Sequence, residues 1–219
     1  GSGYFTFKLS KTGAFSGKIS GNTGKYPFAG TFSQGGYAQT TITRSDTTLT
    51  IGWQLDLTNG TDQVTGTVIN SQTIDSVLLG NRLVYDSITN PASLAGSYTI
   101  AIPGSDDASV APGGDSYAAI TILSNGMVRS SGKLSDGTLI SQSVGLSKYN
   151  QWPFYQLLLS GDGSAFGYLT YTNLPETAID GEVTWIRPGI ISAFYPEGFT
   201  NVSSVLGSAY AAPLAGTRV

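Results

Sequence analysis

Two stretches of the chain repeat one pattern. The segment "GKISGNTGKYPFAGTFSQGGYA" covers residues 17–38, and "GKLSDGTLISQSVGLSKYNQWPFY", a related and longer version of it, covers residues 132–155. Segments outside these stretches also correspond at a nearly constant offset. A duplicated sequence predicts two structural units built on one plan, and this duplication is the strongest constraint on the fold.

Three further pairs of segments extend the repeat. In the first pair the second version has two more residues between its glycines, which keeps every side chain on the same face of a strand because strand side chains alternate with period two. The pairs are "KTGAFSGKIS" (11–20) with "SNGMVRSSGKLS" (124–135), "IGWQLDLTN" (51–59) with "FGYLTYTN" (166–173), and "VTGTVI" (64–69) with "IDGEVTWI" (179–186).

Apolar residues recur at every second position along most of the chain. Leu49, Ile51, Trp53 and Leu55 alternate with polar or small residues, which is typical of strands that bury one face. The 29 Gly and 9 Pro interrupt the segments that a helix would need. We therefore predict an all-β, antiparallel fold in which two homologous half-barrel units form a pseudo-symmetric β-barrel or a packed pair of barrels, one half-sheet closing the other.

The expected domain boundary lies in the linker "TNPAS", so the units are residues 1–93 and 94–219, and the two share one core or hold one each. Further strands are predicted at 77–79 and 83–85. The segment "GSYTIAIPG" (96–104) opens the second unit and has no counterpart in the first. We expect the first unit to lack this opening strand or to receive it from the C-terminal tail, because an open sheet edge invites aggregation.

Composition excludes several classes of function. The chain has no Cys and no His, which removes thiolate zinc sites, disulfides, thiol nucleophiles and the commonest general base. Only 11% of the residues are charged and the net charge is -3, so nucleic acid is not an expected partner. No apolar run approaches the roughly 20 residues of a membrane-spanning helix. The chain begins and ends in strand-like sequence, so we interpret it as part of a longer protein.

Three long phrases carry a resemblance to a known kind of region. They are "GSYTIAIPGSDDASVAPGGDSYAAITILSNG", "DGTLISQSVGLSKYNQWPFY" and "FYPEGFTNVSSVLGSAY". The chain resembles a β-rich tandem repeat region of large secreted or cell-surface proteins of environmental bacteria. The resemblance implies an extracellular or cell-surface location beside other domains of a parent chain, and it implies no catalytic residue.

An acidic loop is a candidate metal site. Asp106, Asp107 and Asp115 lie in "PGSDDASVAPGGDSY", where Gly and Pro let the backbone bend. Calcium binds clusters of hard oxygen ligands in such loops, so calcium is the one candidate cofactor. The alternative is a solvated loop in which Asp serves turn formation.

Aromatic residues near Trp152 form the candidate ligand-contact cluster. Trp53 and Trp185 lie in phase with buried positions, whereas Trp152 precedes Pro153, which points to an edge or a turn. Flat rings stack on sugars while amides bind their hydroxyls, so a polysaccharide or cell-surface glycan is the candidate partner. The alternative is that Trp152 plugs one end of a barrel. The cluster consists of Tyr149, Gln151, Trp152, Phe154 and Tyr155.

The leading functional prediction is a non-enzymatic extracellular module, which acts as a spacer or as an adhesion domain that binds glycans or another surface. A second hypothesis is a hollow, ligand-holding barrel of the lipocalin type. The third is a glycoside-active domain that uses Asp180 and Glu182, since the residues that flank Gly181 share one face of a strand about 6 to 7 Å apart.

Overall fold

The chain folds into two compact units, Gly1–Arg82 and Leu83–Val219. The computed structural model describes residues 3–21, 24–43, 48–70, 73–172, 177–190 and 195–211. In those residues every regular element is a β-strand except one 3-10 turn, Leu159–Gly161. All strand pairs are antiparallel, which confirms the predicted fold class.

The described part of the first unit contains two sheets. Its strands are β1 (Gly3–Leu9), β2 (Ala14–Gly21), β3 (Gly24–Thr31), β4 (Tyr37–Thr43), β5 (Thr48–Leu55), β6 (Gln63–Asn70) and β7 (Thr73–Asn81). The first sheet has the order β1-β2-β3 and the second has the order β4-β5-β6-β7. The strand predicted at 77–79 is part of β7.

The second unit contains one nearly closed, barrel-like sheet. Its strands are β8 (Gly96–Ile102), β9 (Ser116–Ile122), β10 (Met127–Lys133), β11 (Leu139–Gly145), β12 (Gln151–Leu158), β13 (Gly163–Tyr171), β14 (Ile179–Pro188), β15 (Gly198–Ser204) and β16 (Leu206–Ala209). The order is β11-β10-β9-β8-β16-β14-β13-β12, and β15 also pairs with β14. The two end strands, β11 and β12, are consecutive in the chain.

Residues 83–93, which the sequence places with the first unit, contact the second. Leu83 forms an isolated bridge with Ser147, and the amide of Ala92 donates to the carbonyl of Ser124 at 2.8 Å. The compact units therefore divide at residue 82.

The duplication is visible in the backbone hydrogen bonds of the turns. In each unit, one turn residue with left-handed backbone accepts a bond from the residue just after β3 or β11, and a second accepts one from the last residue of β5 or β13. The matching bonds are Phe32 N to Gly13 O (3.0 Å) and Leu146 N to Gly126 O (2.8 Å), then Leu55 N to Gly36 O (2.8 Å) and Tyr171 N to Asn150 O (2.8 Å). Strands β1 to β6 therefore correspond to β9 to β14.

The strand register corrects one sequence alignment by one residue. The match of 51–59 with 166–173 equates Trp53 with Tyr168, but Trp53 pairs with Ala38 on β4 whereas its structural equivalent Leu169 pairs with Trp152 on β12. A slip of one residue exchanges the two faces of a strand. Trp53 is accordingly buried, while Tyr168 is 40% exposed.

The other two alignments behave differently. Gly66 pairs with Trp53 and Gly181 with Leu169, so the match between 64–69 and 179–186 is confirmed. The two "GK" phrases are not structurally equivalent, because the second lies two residues further along its strand. Gly17 pairs with β1 at the position where Ser130, not Gly132, pairs with β9. Their side chains keep the same face.

Each unit buries its own apolar residues. In the first, Trp53 lies among phenylalanine rings, and its Nε1 donates to Oγ1 of Thr40 at 2.9 Å. The interior of the second is filled by Trp152, Phe154 and aliphatic side chains. The aliphatic residues that are at most 2% exposed include Ile120, Ile122, Val128, Ile140, Leu146, Leu158, Leu169 and Ile179.

The second unit closes its sheet with two strands that have no counterpart among the described strands of the first. Strand β8 lies between β9 and β16, and β16 reaches β14 through the pairing of Ile179 with Gly207. In the first unit β1 is an end strand of its sheet. The proposed covering by the C-terminal tail falls on residues 212–219, which lie outside the described part of the chain.

Candidate functional site

The structure divides the aromatic cluster between the core and the surface. Trp152 is 0% exposed and Phe154 is 2% exposed, with their rings edge to face at 5.4 Å. Both side chains point inward from β12, as does Leu158. Neither ring presents a face to a sugar, so the prediction that these two residues contact a ligand at the surface is corrected.

A glutamine holds Trp152 in place at the seam between β11 and β12. Oε1 of Gln142 accepts a hydrogen bond from Nε1 of Trp152 at 2.9 Å, and Nε2 of Gln142 donates to the carbonyl of Pro153 at 3.0 Å. Pro153 does mark an end strand, as predicted. The proline indicated the position of the strand in the sheet, whereas the alternation of the strand decided which way Trp152 points.

The remaining members of the cluster lie outside the core. Tyr149 is 40% exposed in the turn before β12, and Nζ of Lys148 lies 5.2 Å from the centre of its ring. Gln151 and Tyr155 lie on the outward face of β12, about 13 Å apart along the strand. The three side chains therefore do not line one enclosed pocket.

The acidic loop uses two of its carboxylates to hold its own backbone. Oδ1 of Asp107 accepts from N and Oγ of Ser109 at 2.9 and 2.6 Å, and these bonds lower the pKa of Asp107. Oδ1 of Asp115 accepts from the amide of Gly104 at 3.1 Å. Among the residues that the structure describes, no three acidic side chains are grouped to hold a metal ion, so the loop gives the calcium prediction no support.

Asp180 and Glu182 lie on an open strand face. Between them, Gly181 has a φ of 143°, and an added Cβ would lie 2.5 Å from the carbonyl oxygen of Tyr168. Its equivalent, Gly66, shows the same close approach, with its added Cβ 2.8 Å from the oxygen of Gly52. The glycine is therefore the feature that the two units share, because the backbone leaves no room for a side chain there. The two carboxylates are exposed and occur in the second unit, where the first has threonines.

The acidic loop also forms one wall of a surface cleft that the sequence did not reveal. The cleft has a volume of about 540 Å³ and lies between residues 103–107 and the segment formed by β15 and β16. Ser105, Asp106, Asn201 and Ser203 provide polar groups, and Leu206 provides an apolar edge. Periodicity could not identify this site, because it depends on which loop lies beside β15.

Comparison of the chain with protein-family models, with curated proteins and with solved structures gives no match. Over the described ranges, we find no helix with the length and apolar character needed to cross a membrane.

Proposed function

We propose that the chain is a non-enzymatic extracellular β module that acts as a spacer within a larger bacterial secreted or cell-surface protein. The repeated ladder carries this proposal: the same strands and turn bonds occur twice, and the core of each unit is built from its largest side chains. Repeated β units resist unfolding through packing and backbone pairing, and a spacer needs no reactive group.

Three turn aspartates have the properties of hydrogen-bond acceptors rather than of general acids. Hydrogen bonds from neighbouring amides and hydroxyls lower the pKa of Asp56, Asp86 and Asp107. A general acid at neutral pH needs the opposite change, a carboxyl pKa that burial raises. These aspartates act as acceptors in turns.

The two alternatives have less support. A lipocalin-type barrel needs a hollow interior, but the bulky side chains of Trp152, Phe154 and Ile120 occupy the middle of the second unit. A glycoside-active site needs paired carboxylates beside a sugar-binding cleft, whereas Asp180 and Glu182 lie on an exposed strand.

Single-molecule extension of the whole chain from its two ends tests the spacer proposal. We expect unfolding in abrupt, force-resistant steps, because each antiparallel ladder must break cooperatively. Gradual extension without such steps contradicts the proposal. A parallel assay for sugar release from soluble polysaccharides tests the enzymatic alternative, and release that Glu182→Gln abolishes would establish it.

A further inference from the structure

Strand β15 is paired on one of its two sides. It pairs with β14 from Gly198 to Ser204, and it pairs with no other strand among the residues that the structure describes. An unpaired strand edge presents a row of backbone N–H and C=O groups that can pair with another chain. One side of β15 is therefore open for pairing.

The hydrogen bonds to β14 identify the residues of β15 that face this open side. The amide of Val205 donates to the carbonyl of Gly181 at 2.8 Å, and hydrogen-bonded and non-bonded pairs alternate along an antiparallel ladder. Odd-numbered residues of β15 therefore bond to β14, and even-numbered residues turn their N–H and C=O groups away from it. The even-numbered residues are Thr200, Val202 and Ser204. Within the described ranges, none of the three forms a backbone hydrogen bond on that side.

The open side of β15 is the side on which β8 lies further along the chain. Strand β16 follows β15 and pairs with β8 through its own even-numbered residues, since the amide of Tyr210 donates to the carbonyl of Ser97 at 2.8 Å. The two strands thus form one edge, of which the β16 part is covered by β8 and the β15 part is not.

A proline explains where the pairing with β8 stops. Leu206 lies opposite Ala101, so the same register would place Ser204 opposite Pro103. Pro103 has no N–H to donate, and the described residues show no pairing with β8 on the β15 side of Leu206. The two segments separate at this point, and the cleft of about 540 Å³ lies between them.

The opposite wall of the cleft limits what can pair with β15. Residues 103–107 form this wall, and the hydroxyl of Tyr195 donates to the carbonyl of Ala108 at 3.0 Å, which ties the wall to the segment before β15. The edge of a second sheet would bring further strands against residues 103–107, whereas one extended segment needs the width of a single strand. The cleft therefore suits a single segment of polypeptide.

The same wall carries negative charge. Asp106 and Asp107 are both exposed, and neither forms an ion pair in the part of the chain that the structure describes. Residue numbers rise along this wall away from β16, so the two carboxylates lie toward the Thr200 end of β15. A basic side chain on the bound segment would complement them there.

We propose that the cleft binds an extended basic segment of another polypeptide, which adds a strand to the open side of β15. The segment runs antiparallel to β15, and its Lys or Arg lies near its C-terminal end, beside Asp106. Val202 and Leu206, which are 54% and 62% exposed, contact its apolar side chains. This binding role is additional to the spacer role and does not depend on it.

A labelled model peptide, acetyl-Thr-Val-Thr-Val-Thr-Val-Lys-amide, tests the proposal by fluorescence anisotropy with the full chain. We expect it to bind, and we expect the peptide with Glu in place of Lys to bind about tenfold more weakly. Two further analogues carry N-methyl groups at alternate residues. Only the analogue whose methyl groups point away from β15 should bind, because N-methylation removes the donors that pair with the strand.

Two substitutions in the protein test the same contacts. Val202→Pro removes an N–H that faces the cleft and leaves the bonds to β14 intact, so it should weaken binding about tenfold. Val202→Thr, which keeps that N–H, is its matched control. Asp106→Asn should weaken binding about threefold, whereas Asp86→Asn, the same change in a turn that does not line the cleft, should have no effect. Thermal melts establish that each variant is folded.

Amide hydrogen exchange provides a readout that simple coverage of the surface would not reproduce. Addition of the peptide should protect the amides of Thr200, Val202 and Ser204, while those of Asn201 and Ser203 are protected with or without it because they bond to β14.

Four outcomes would overturn the proposal. The first is that neither the Lys nor the Glu peptide binds. The second is that both N-methylated analogues bind as tightly as the parent peptide, since the backbone of the segment is then not used. The third is unchanged binding by folded Val202→Pro. The fourth is a dimer of the chain that Val202→Pro dissociates, which would make a second copy the occupant. None of these results bears on force resistance, so the spacer proposal is judged separately.

Discussion

The two units use one strand plan but stabilise it in different ways. In the second unit β9 is paired on both sides, by β8 and β10, and its inward residue Ile120 is 1% exposed. In the first unit the equivalent strand β1 is an end strand of its sheet, and its inward residues Phe5 and Phe7 are only half-buried. The same ladder therefore tolerates two quite different surroundings.

Aromatic side chains fill most of the core of the first unit. Phe7, Phe15 and Phe28 lie within 6.5 Å of Trp53, measured between ring centres. Two of these rings lie over glycines: a Cβ added at Gly17 would be 2.5 Å from the ring of Phe28, and one added at Gly30 would be 2.6 Å from that of Phe15. Large rings over small residues fill a core that fewer strands enclose.

The tryptophans show how one core position is filled from either strand. The cross-strand pair Ala38 and Trp53 in the first unit corresponds to Trp152 and Leu169 in the second. The indole has changed strands, and its hydrogen-bond acceptor has changed from Thr40 to Gln142. The duplicated plan thus preserves the volume and the satisfied N–H of this position rather than its residue types.

The largest expected loss of stability follows from removing the indole of the second core. Trp152→Ala should lower the free energy of unfolding by about 3 to 5 kcal/mol, because it empties the centre of the second core. Adding Leu169→Trp, which copies the arrangement of the first unit, should recover part of that loss. Urea denaturation of both single variants and the double variant measures the coupling, and strictly additive losses would contradict the equivalence of the two positions.

The seam of the second unit should be the next most sensitive feature. Gln142→Ala leaves the buried Nε1 of Trp152 without its acceptor, so we expect a loss of about 1 to 3 kcal/mol. Gln156, whose Oε1 accepts from the amide of Ser141 at an exposed site, is the matched control. Gln156→Ala should cost less than Gln142→Ala in the same denaturation experiment, and the reverse order would show that Gln142 does not close the seam.

A pair of tyrosines links β8 to β13 in the second unit. Tyr98 on β8 meets Tyr171 edge to face at 5.3 Å, and the Tyr171 hydroxyl is buried without a partner. Burial, with Tyr98 as a second cause, raises the pKa of Tyr171. The unfolded chain ionises this group above about pH 10 while the folded chain keeps its proton, so stability is lost as pH rises further.

Tyr171→Phe should therefore reduce the alkaline loss and raise stability near neutral pH by about 1 kcal/mol. Tyr98→Phe is the control for stability near neutral pH, because its hydroxyl donates to the carbonyl of Leu94 at 2.8 Å and its removal should destabilise the protein there, whereas burial raises the pKa of Tyr98 as well. Thermal melts between neutral pH and pH 11 compare the two, and an unchanged alkaline slope in Tyr171→Phe would count against the assignment.

The smallest effect is expected at a turn of the first unit. Hydrogen bonds from the Thr61 hydroxyl and from the amides of Asn59, Thr61 and Thr58 hold the pKa of Asp56 far below its ordinary value. Its contribution to stability is present above about pH 4 and is lost as pH falls below that value, because the unfolded chain takes up the proton first. Asp56→Asn should make the acid side of the stability profile shallower, and a profile identical to that of the unsubstituted chain would exclude this role.

Much of the fold follows from the sequence because period-two alternation and the duplication act over the whole chain. The opening strand β8 and the burial of Trp53 were predictable in this way. The one-residue error between Trp53 and Tyr168 was not avoidable by matching residue types, since Gly52 and Gly167 invite the wrong register. The turn bond of Tyr171 to Asn150 and the pairing of Leu169 with Gly181 identify the correct one.

The candidate site was less predictable. Pro153 favours a surface position for Trp152, whereas the phase of Trp152 with Phe154 and Leu158 indicates the core. The cleft depends on which loop lies beside β15, where the hydroxyl of Tyr195 donates to the carbonyl of Ala108, a residue far away in the chain. Contacts of this kind leave no periodic signal.

Amide hydrogen exchange at the matched turn bonds tests the common plan most directly. We predict that Phe32 and Leu146 are both protected, as are Leu55 and Tyr171, because each amide donates to the carbonyl of an equivalent turn residue. If one amide of a pair exchanges freely while its neighbours in the adjoining strand stay protected, the two units do not share one backbone plan.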